Sequence, residues 1–252
     1  MTRGVGAAAL ALAAGAILTA ACVDIPTGAS EVLSFQFNPL PSPAVVVGDT
    51  LRDSSGAVAP LTVTAYNYNG EIATDPPIRY SSLDRGIRVD SLTGIVIGDS
   101  VRSAGRILAT VKGFTGTVSL AVTLRPDTVI ESNARDSLSY SLTDSTANVS
   151  NAIGIRVIHG PVAGDSSVAS WVVRFRITSP TDTVLARLVN ESGIRSAVDT
   201  TDAGGVASRK IRLDPTRLTA LVDSVIVQAS VAYRGQDVRG SPLRLVLKVK
   251  PK

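Results

Sequence analysis

His159 is the only histidine and Cys22 the only cysteine in the 252 residues. Nucleophilic catalysis usually needs a hydroxyl or thiol beside a base that a third group orients. A single histidine with no free thiol elsewhere leaves such a triad without parts. His159, placed before Gly160-Pro161, reads as a turn-edge surface residue. The sequence has no Gly-rich phosphate loop, no His/Cys metal spacing and no Gly-x-Ser-x-Gly elbow. Paired carboxylates could still cleave glycosidic bonds. Yet Asp49, Asp90, Asp99 and Asp214 stand in turn contexts, and Glu71, Glu131 and Glu191 are far apart in the chain. We therefore expect no enzyme and no cofactor.

Two groups have the chemistry to bind rather than react. Asp199 and Asp202 flank Thr200-Thr201 beside a Gly-Gly turn, and calcium takes oxygen ligands from such loops. The alternative is that each carboxylate caps a turn through backbone N–H groups. Tyr66 and Tyr68 alternate with Ala65 and share a face with Thr62 and Thr64. Two outward aromatics could stack on a sugar or pack against a protein; the alternative is that they cover their own sheet edge. Trp171 differs, because Trp171, Val173, Phe175 and Ile177 share one parity and form a core stripe, with Arg174 and Arg176 facing water.

The start of the chain carries an address. Met1, Thr2 and Arg3 precede an uncharged apolar run from Val5 to Ala21, the layout of a secretory signal. Leu18-Thr19-Ala20-Ala21-Cys22 resembles a bacterial lipobox, which implies lipid attachment at Cys22 and a membrane partner through that lipid. Plain secretion after an Ala-x-Ala-like site and an uncleaved anchor helix remain as alternatives. Val23 follows Cys22 and Asp24 comes one place later. An aspartate directly after the lipidated cysteine is the inner-membrane retention signal, so the expected address is the outer membrane.

The net charge of +4 looks like a nucleic-acid signature but is dispersed. Removing residues 1–21 takes away Arg3 alone, so 25 basic residues become 24 against 21 acidic ones. Arg79, Arg85, Arg88, Arg102, Arg106 and Arg125 stand singly, and only Lys248, Lys250 and Lys252 cluster. Nucleic-acid surfaces need a basic stripe, so no such partner is expected. With one cysteine no disulfide can form, and each domain must stand on its own apolar core.

The elements that would carry these residues are strands. Leu33, Phe35 and Phe37 alternate with polar neighbours, as do Leu61, Val63 and Ala65, then Ile107, Ala109 and Val111, then Val118, Leu120 and Val122. Period two, cut by Gly, Pro, Asn and Asp, predicts half-buried antiparallel strands. The best helical candidate, Thr216 to Val222, is one or two turns long. The chain is expected to be all-β, two tandem antiparallel β-sandwiches after an N-terminal signal segment. The divisions are signal 1–21, tether 22–31, first domain 32–125, linker 126–136 and second domain 137–252, with Arg125-Pro126-Asp127 opening the linker.

Residues 32–124 resemble the bacterial immunoglobulin-like group 2 repeat. The resemblance rests on Val46-Val47-Gly48-Asp49-Thr50-Leu51, the strand Leu61 to Gly70, Ile78-Arg79-Tyr80-Ser81-Ser82, and Val89-Asp90-Ser91-Leu92-Thr93-Gly94-Ile95-Val96 before Ala104-Gly105. Asp90 and Gly94 bound a tight turn. Arg52-Asp53-Ser54 departs from the pattern as a rearranged loop. The second domain is similar to the group 1 fold of invasin- and intimin-type proteins. That likeness rests on Thr201-Asp202-Ala203-Gly204-Gly205-Val206-Ala207, with Gly160-Pro161-Val162-Ala163-Gly164 upstream. The insertion Asp165 to Ser170 departs from it. Both resemblances imply a cell-envelope protein. It would act as a structural spacer or scaffold or, alternatively, as a surface module that binds an envelope protein or a polysaccharide.

Overall fold

Alternating apolar and polar residues produce strands throughout the described residues. The computed structural model describes residues 31–100, 103–132, 137–144, 148–160, 166–214, 216 and 223–252. Residues 1–30, with Cys22, Val23 and Asp24, lie outside the described residues. So do Arg102, residues 133–136 and 161–165, and most of the Thr216–Val222 stretch.

The first unit holds β1 (Ser34–Phe37), β2 (Ala44–Val46), β3 (Val63–Tyr66), β4 (Ile78–Ser82), β5 (Ile87–Val89), β6 (Val96–Gly98), β7 (Ser103–Val111) and β8 (Phe114–Thr123). One sheet has the order β2-β8-β7-β4, and the pairs β1-β3 and β5-β6 cover it. Ile107, Ala109, Leu120 and Val122 point inward against Leu51, Leu61, Ile87 and Val96. Burying such a side chain contributes about 1.5–3 kcal/mol. Tyr80 is buried and donates its hydroxyl to the Leu61 carbonyl at 3.1 Å. Burial pushes its phenol pKa up, so it stays a donor. The Asp90 turn forms as its residues dictate. Asp90 Oδ1 accepts from the Leu92 and Thr93 N–H groups, and Gly94 stands at φ 71°.

The second unit contains β9 (Thr128–Glu131), β10 (Leu138–Tyr140), β11 (Ile153–His159), β12 (Ser166–Ser167), β13 (Val172–Ser179), β14 (Ala186–Val189) and β15 (Val198–Thr200). It continues with β16 (Val206–Leu213), β17 (Ser224–Ser230), β18 (Ala232–Tyr233), β19 (Gln236–Asp237) and β20 (Leu243–Pro251). One sheet runs β10-β20-β17-β13-β15; the other runs β12-β11-β16-β14, with β9 also on β11. Between them lies a core with Ile155, Val173, Phe175, Ile211, Val227 and Leu247. Each unit is thus an immunoglobulin-like sandwich.

Three features differ from the sequence expectation. β2 pairs parallel to β8, and β10 parallel to β20. Alternation marks a half-buried strand but is blind to its direction. Residues 126–136, expected as linker, contain β9, whose Val129 joins the second core; at four residues among polar neighbours it gives too short a signal. Leu33 is exposed and Val32 is buried instead, because β1 begins only at Ser34.

Gly105 allows β7 to pass Ile87: a Cβ built there would stand 2.2 Å from Ile87 Cγ2. We predict that Gly105→Ala destabilises the first sandwich by about 1–3 kcal/mol. Denaturant titration should show it, and adding Ile87→Val should not recover the loss, because valine keeps the Cβ and γ-methyl that the new Cβ would strike.

Candidate functional site

The sharpest constellation of charge lies where the two sandwiches meet. Asp49 follows β2 in a turn, and its carboxylate is only 7 % exposed. Arg52, three residues on, reaches it with Nε at 2.9 Å and Nη2 at 3.0 Å, and the Thr50 N–H donates at 2.8 Å. Two further donors come from 184 and 185 positions along the chain. Tyr233 Oη donates at 2.6 Å and Arg234 Nε at 3.1 Å, both to Oδ2. Arg234 Nη2 also lies 2.9 Å from Oδ1.

Backbone geometry brings these groups together. β18 and β19 form a hairpin with Arg234 at φ 52° and Gly235 at φ 75°, the left-handed pair that a tight two-residue hairpin requires. Its tip lies against the loop Arg52 to Val58, which Asp53 Oδ1 braces by accepting from the Ser55 and Ala57 N–H groups. A Cβ on Gly56 would stand 2.2 Å from the Arg234 carbonyl carbon, and one on Gly235 would stand 2.5 Å from the Ser55 carbonyl oxygen. Main chain therefore touches main chain across the joint. Trp171 packs edge-on against Tyr233 at 6.1 Å and donates Nε1 to the Ala232 carbonyl at 3.3 Å. A cavity of about 110 Å³ opens beside them, lined in part by Pro41, Arg52, Trp171, Arg174 and Tyr233.

Burial alone would raise the Asp49 pKa, but the hydrogen bonds from Arg52, Arg234, Tyr233 and the Thr50 N–H outweigh it. Together they hold the carboxyl far below the usual carboxylate range. Burial, reinforced by the bond to Asp49, pushes the Tyr233 phenol up. Ionised acceptor and protonated donor therefore coexist across the neutral range. The arrangement fastens one domain to another and presents no nucleophile. A second polar contact lies near the chain crossing: Asp127 Oδ2 is 2.6 Å from His159 Nδ1 and accepts from the Gly160 N–H at 3.0 Å. His159 is partly exposed, and its Nδ1 also lies 3.0 Å from the Arg125 carbonyl.

The sequence-derived candidates sit elsewhere. Tyr66 and Tyr68 lie at the end of β3 farthest from the joint. Tyr66 is half-buried with its hydroxyl accepting from Gln36 Nε2 at 2.8 Å, and Tyr68 is exposed. Asp202 Oδ1 accepts from the Gly204 and Val206 N–H groups at 2.8 and 2.9 Å. Asp199 Oδ2 accepts from the Ser208 N–H and pairs with Arg209 at 2.9 Å. One oxygen of each carboxylate is thus engaged by protein donors. Among the described residues, no three His, Cys, Asp or Glu side chains gather as a metal ion would need. Trp171 lies in the expected stripe, at the rim of the core. Sequence reasoning read Asp49 as a turn residue and missed the joint. The one available signal was the departure at Arg52-Asp53-Ser54 from the group 2 pattern, since this is the loop that receives the hairpin.

No protein-family model and no curated protein matches the chain. Among solved structures, domains 4 and 5 of the S-layer protein SbsC align with 87 % of this chain and 98 % of that one, at 14 % identity and a TM-score of 0.32. Human protocadherin-24 EC1-2 aligns with 88 % and 100 %, at 14 % identity and 0.29. The D00-D0 domain of intimin aligns with 86 % and 100 %, at 13 % identity and 0.28. Similarity at this level decides nothing further, and the immunoglobulin-like fold rests on the strand pairing of this chain.

Asp49→Ala strips both arginines of their acceptor. Arg234 is half-exposed and partly screened, so we predict a loss on the order of 2 kcal/mol, measured by denaturant unfolding. The pH dependence has a definite sign. A carboxyl with a lowered folded-state pKa contributes stability fully above its unfolded value of about 4 and loses it as pH falls through the folded value. The Asp49 contribution should therefore be undiminished from pH 7 to pH 5. Below that, wild type should lose stability faster than Asp49→Asn, as thermal unfolding against pH would record.

Proposed function

We propose that this protein is a non-catalytic envelope lipoprotein, held to a membrane through Cys22, whose two sandwiches act as a stiffened spacer or scaffold. The observation that carries this reading is the joint. A flexible string of binding modules has no use for a buried carboxylate shared by two domains, whereas a spacer that must hold a distance does. The signal-like start and the Leu18–Cys22 motif support the membrane attachment, and Val23 after Cys22 supports the outer membrane. The dispersed arginines and the scattered carboxylates support an absence of nucleic-acid binding and catalysis. The group 2 and group 1 resemblances supply the envelope context.

Exposed Tyr68 supports a second reading, a surface module that contacts a polysaccharide or an envelope protein. Treating intact cells with a non-penetrating protease separates the two. We predict that both domains survive until the cells are lysed; loss from intact cells would move the assignment to adhesion. Replacing Cys22 by Ser should shift the protein out of the membrane fraction, and retention of that variant with the membrane would refute lipid attachment.

A further inference from the structure

The end of the first sandwich opposite the joint is unusually apolar for a solvated surface. Ile72 is 70 % exposed, Tyr68 50 %, Leu33 48 % and Phe114 43 %. They belong to one pole. The Leu33 N–H donates to the Tyr66 carbonyl at 2.8 Å, and Tyr66 bridges Ile72 across the hairpin that Asn67 closes. Phe114 is the cross-strand partner of Val111, and Val111 packs with Val32, Ala65 and Ala73. Directly paired residues share a face, so Phe114 lies on the side of β7–β8 that meets Val32 and Ala73. Single exposed apolar residues need no explanation, but a group of them does.

Two further facts say what covers this pole. The chain enters the fold here, at Glu31 and Val32, whereas β8 runs from Phe114 at this pole to Thr123 near the joint. Val23 to Glu31 can span at most about 30 Å from Cys22. A lipid on Cys22 would thus keep this pole within reach of the bilayer. The charges nearby are Glu31, Glu71 and Asp75 against Lys112, which disfavours an anionic surface.

We infer that the pole formed by Leu33, Tyr68, Ile72 and Phe114 rests on a zwitterionic phospholipid headgroup layer. Tyr68 sits at the water boundary, where a ring with one polar end is at home, and the apolar side chains enter just below it. The inference rests on lipid attachment at Cys22. The short tether raises the local concentration of bilayer enough for a small apolar contact to be occupied. The domain pair would then stand up from the membrane with the joint away from it.

The test uses the lipidated full-length product in phosphatidylethanolamine–phosphatidylcholine vesicles. A polarity-sensitive fluorophore is placed at Lys112→Cys, or at Arg187→Cys on β14 as control; the acylated Cys22 takes no label. The inference expects a blue shift and quenching by lipid-borne spin labels at position 112 and neither at 187. Tyr68→Ser with Ile72→Ser should abolish the signal at 112 while leaving the melting temperature within a few degrees. A water-exposed signal at 112 in protein whose mass confirms a diacylated Cys22 would overturn the inference alone. An unmodified Cys22 would take down the lipid attachment and this inference with it.

Discussion

Asp49 is the constraint on which the two-domain arrangement depends. A carboxylate removed from water costs several kcal/mol unless donors replace its hydration. Here the replacement comes from both sandwiches: Arg52 and Thr50 from one, Tyr233 and Arg234 from the other. The first unit supplies a two-pronged arginine and one backbone N–H, and the second adds a phenol and another guanidinium once the joint has taken the carboxylate out of water. Charge-assisted hydrogen bonds are directional as well as strong, so the joint selects one orientation where an apolar patch would allow sliding. Contact between the Gly56 and Gly235 main chains narrows that choice further, because any side chain there would wedge the units apart.

Six other acidic and amide side chains follow a shared logic. Asp53, Asn67, Asp90, Asp182, Asn190 and Asp202 each accept from backbone N–H groups two to four residues on. Each saturates donors that a tight loop would otherwise leave unpaired. A chain without disulfides thereby sharpens its turns.

What could be read in advance was whatever depends on neighbours along the chain. Strand positions, the Asp90 and Asp202 turns and the core stripe through Val173 and Phe175 follow from local periodicity. The parallel pairing of β2 and β10 does not, since the same alternation serves either direction. β9 was masked by its brevity. The joint was the least legible feature, because Asp49 and Tyr233 are 184 positions apart and nothing local announces their meeting. Tyr66 is half-buried and Tyr68 is exposed. Their alternation could not reveal that Ile72, Leu33 and Phe114 would gather beside them, where the chain enters the fold.

The first sandwich has two dissimilar ends. Its apolar pole and chain entry lie at one end of the first sandwich, and its polar clamp lies at the other. The distance between the two sandwiches tests the central claim most directly. Spin labels at Arg79→Cys and Arg187→Cys, both exposed and away from the joint, would report it by pulsed dipolar spectroscopy. The account predicts one narrow distance distribution at neutral pH. A broad distribution in the wild-type background would contradict it, showing that the domains pivot despite the Asp49 clamp.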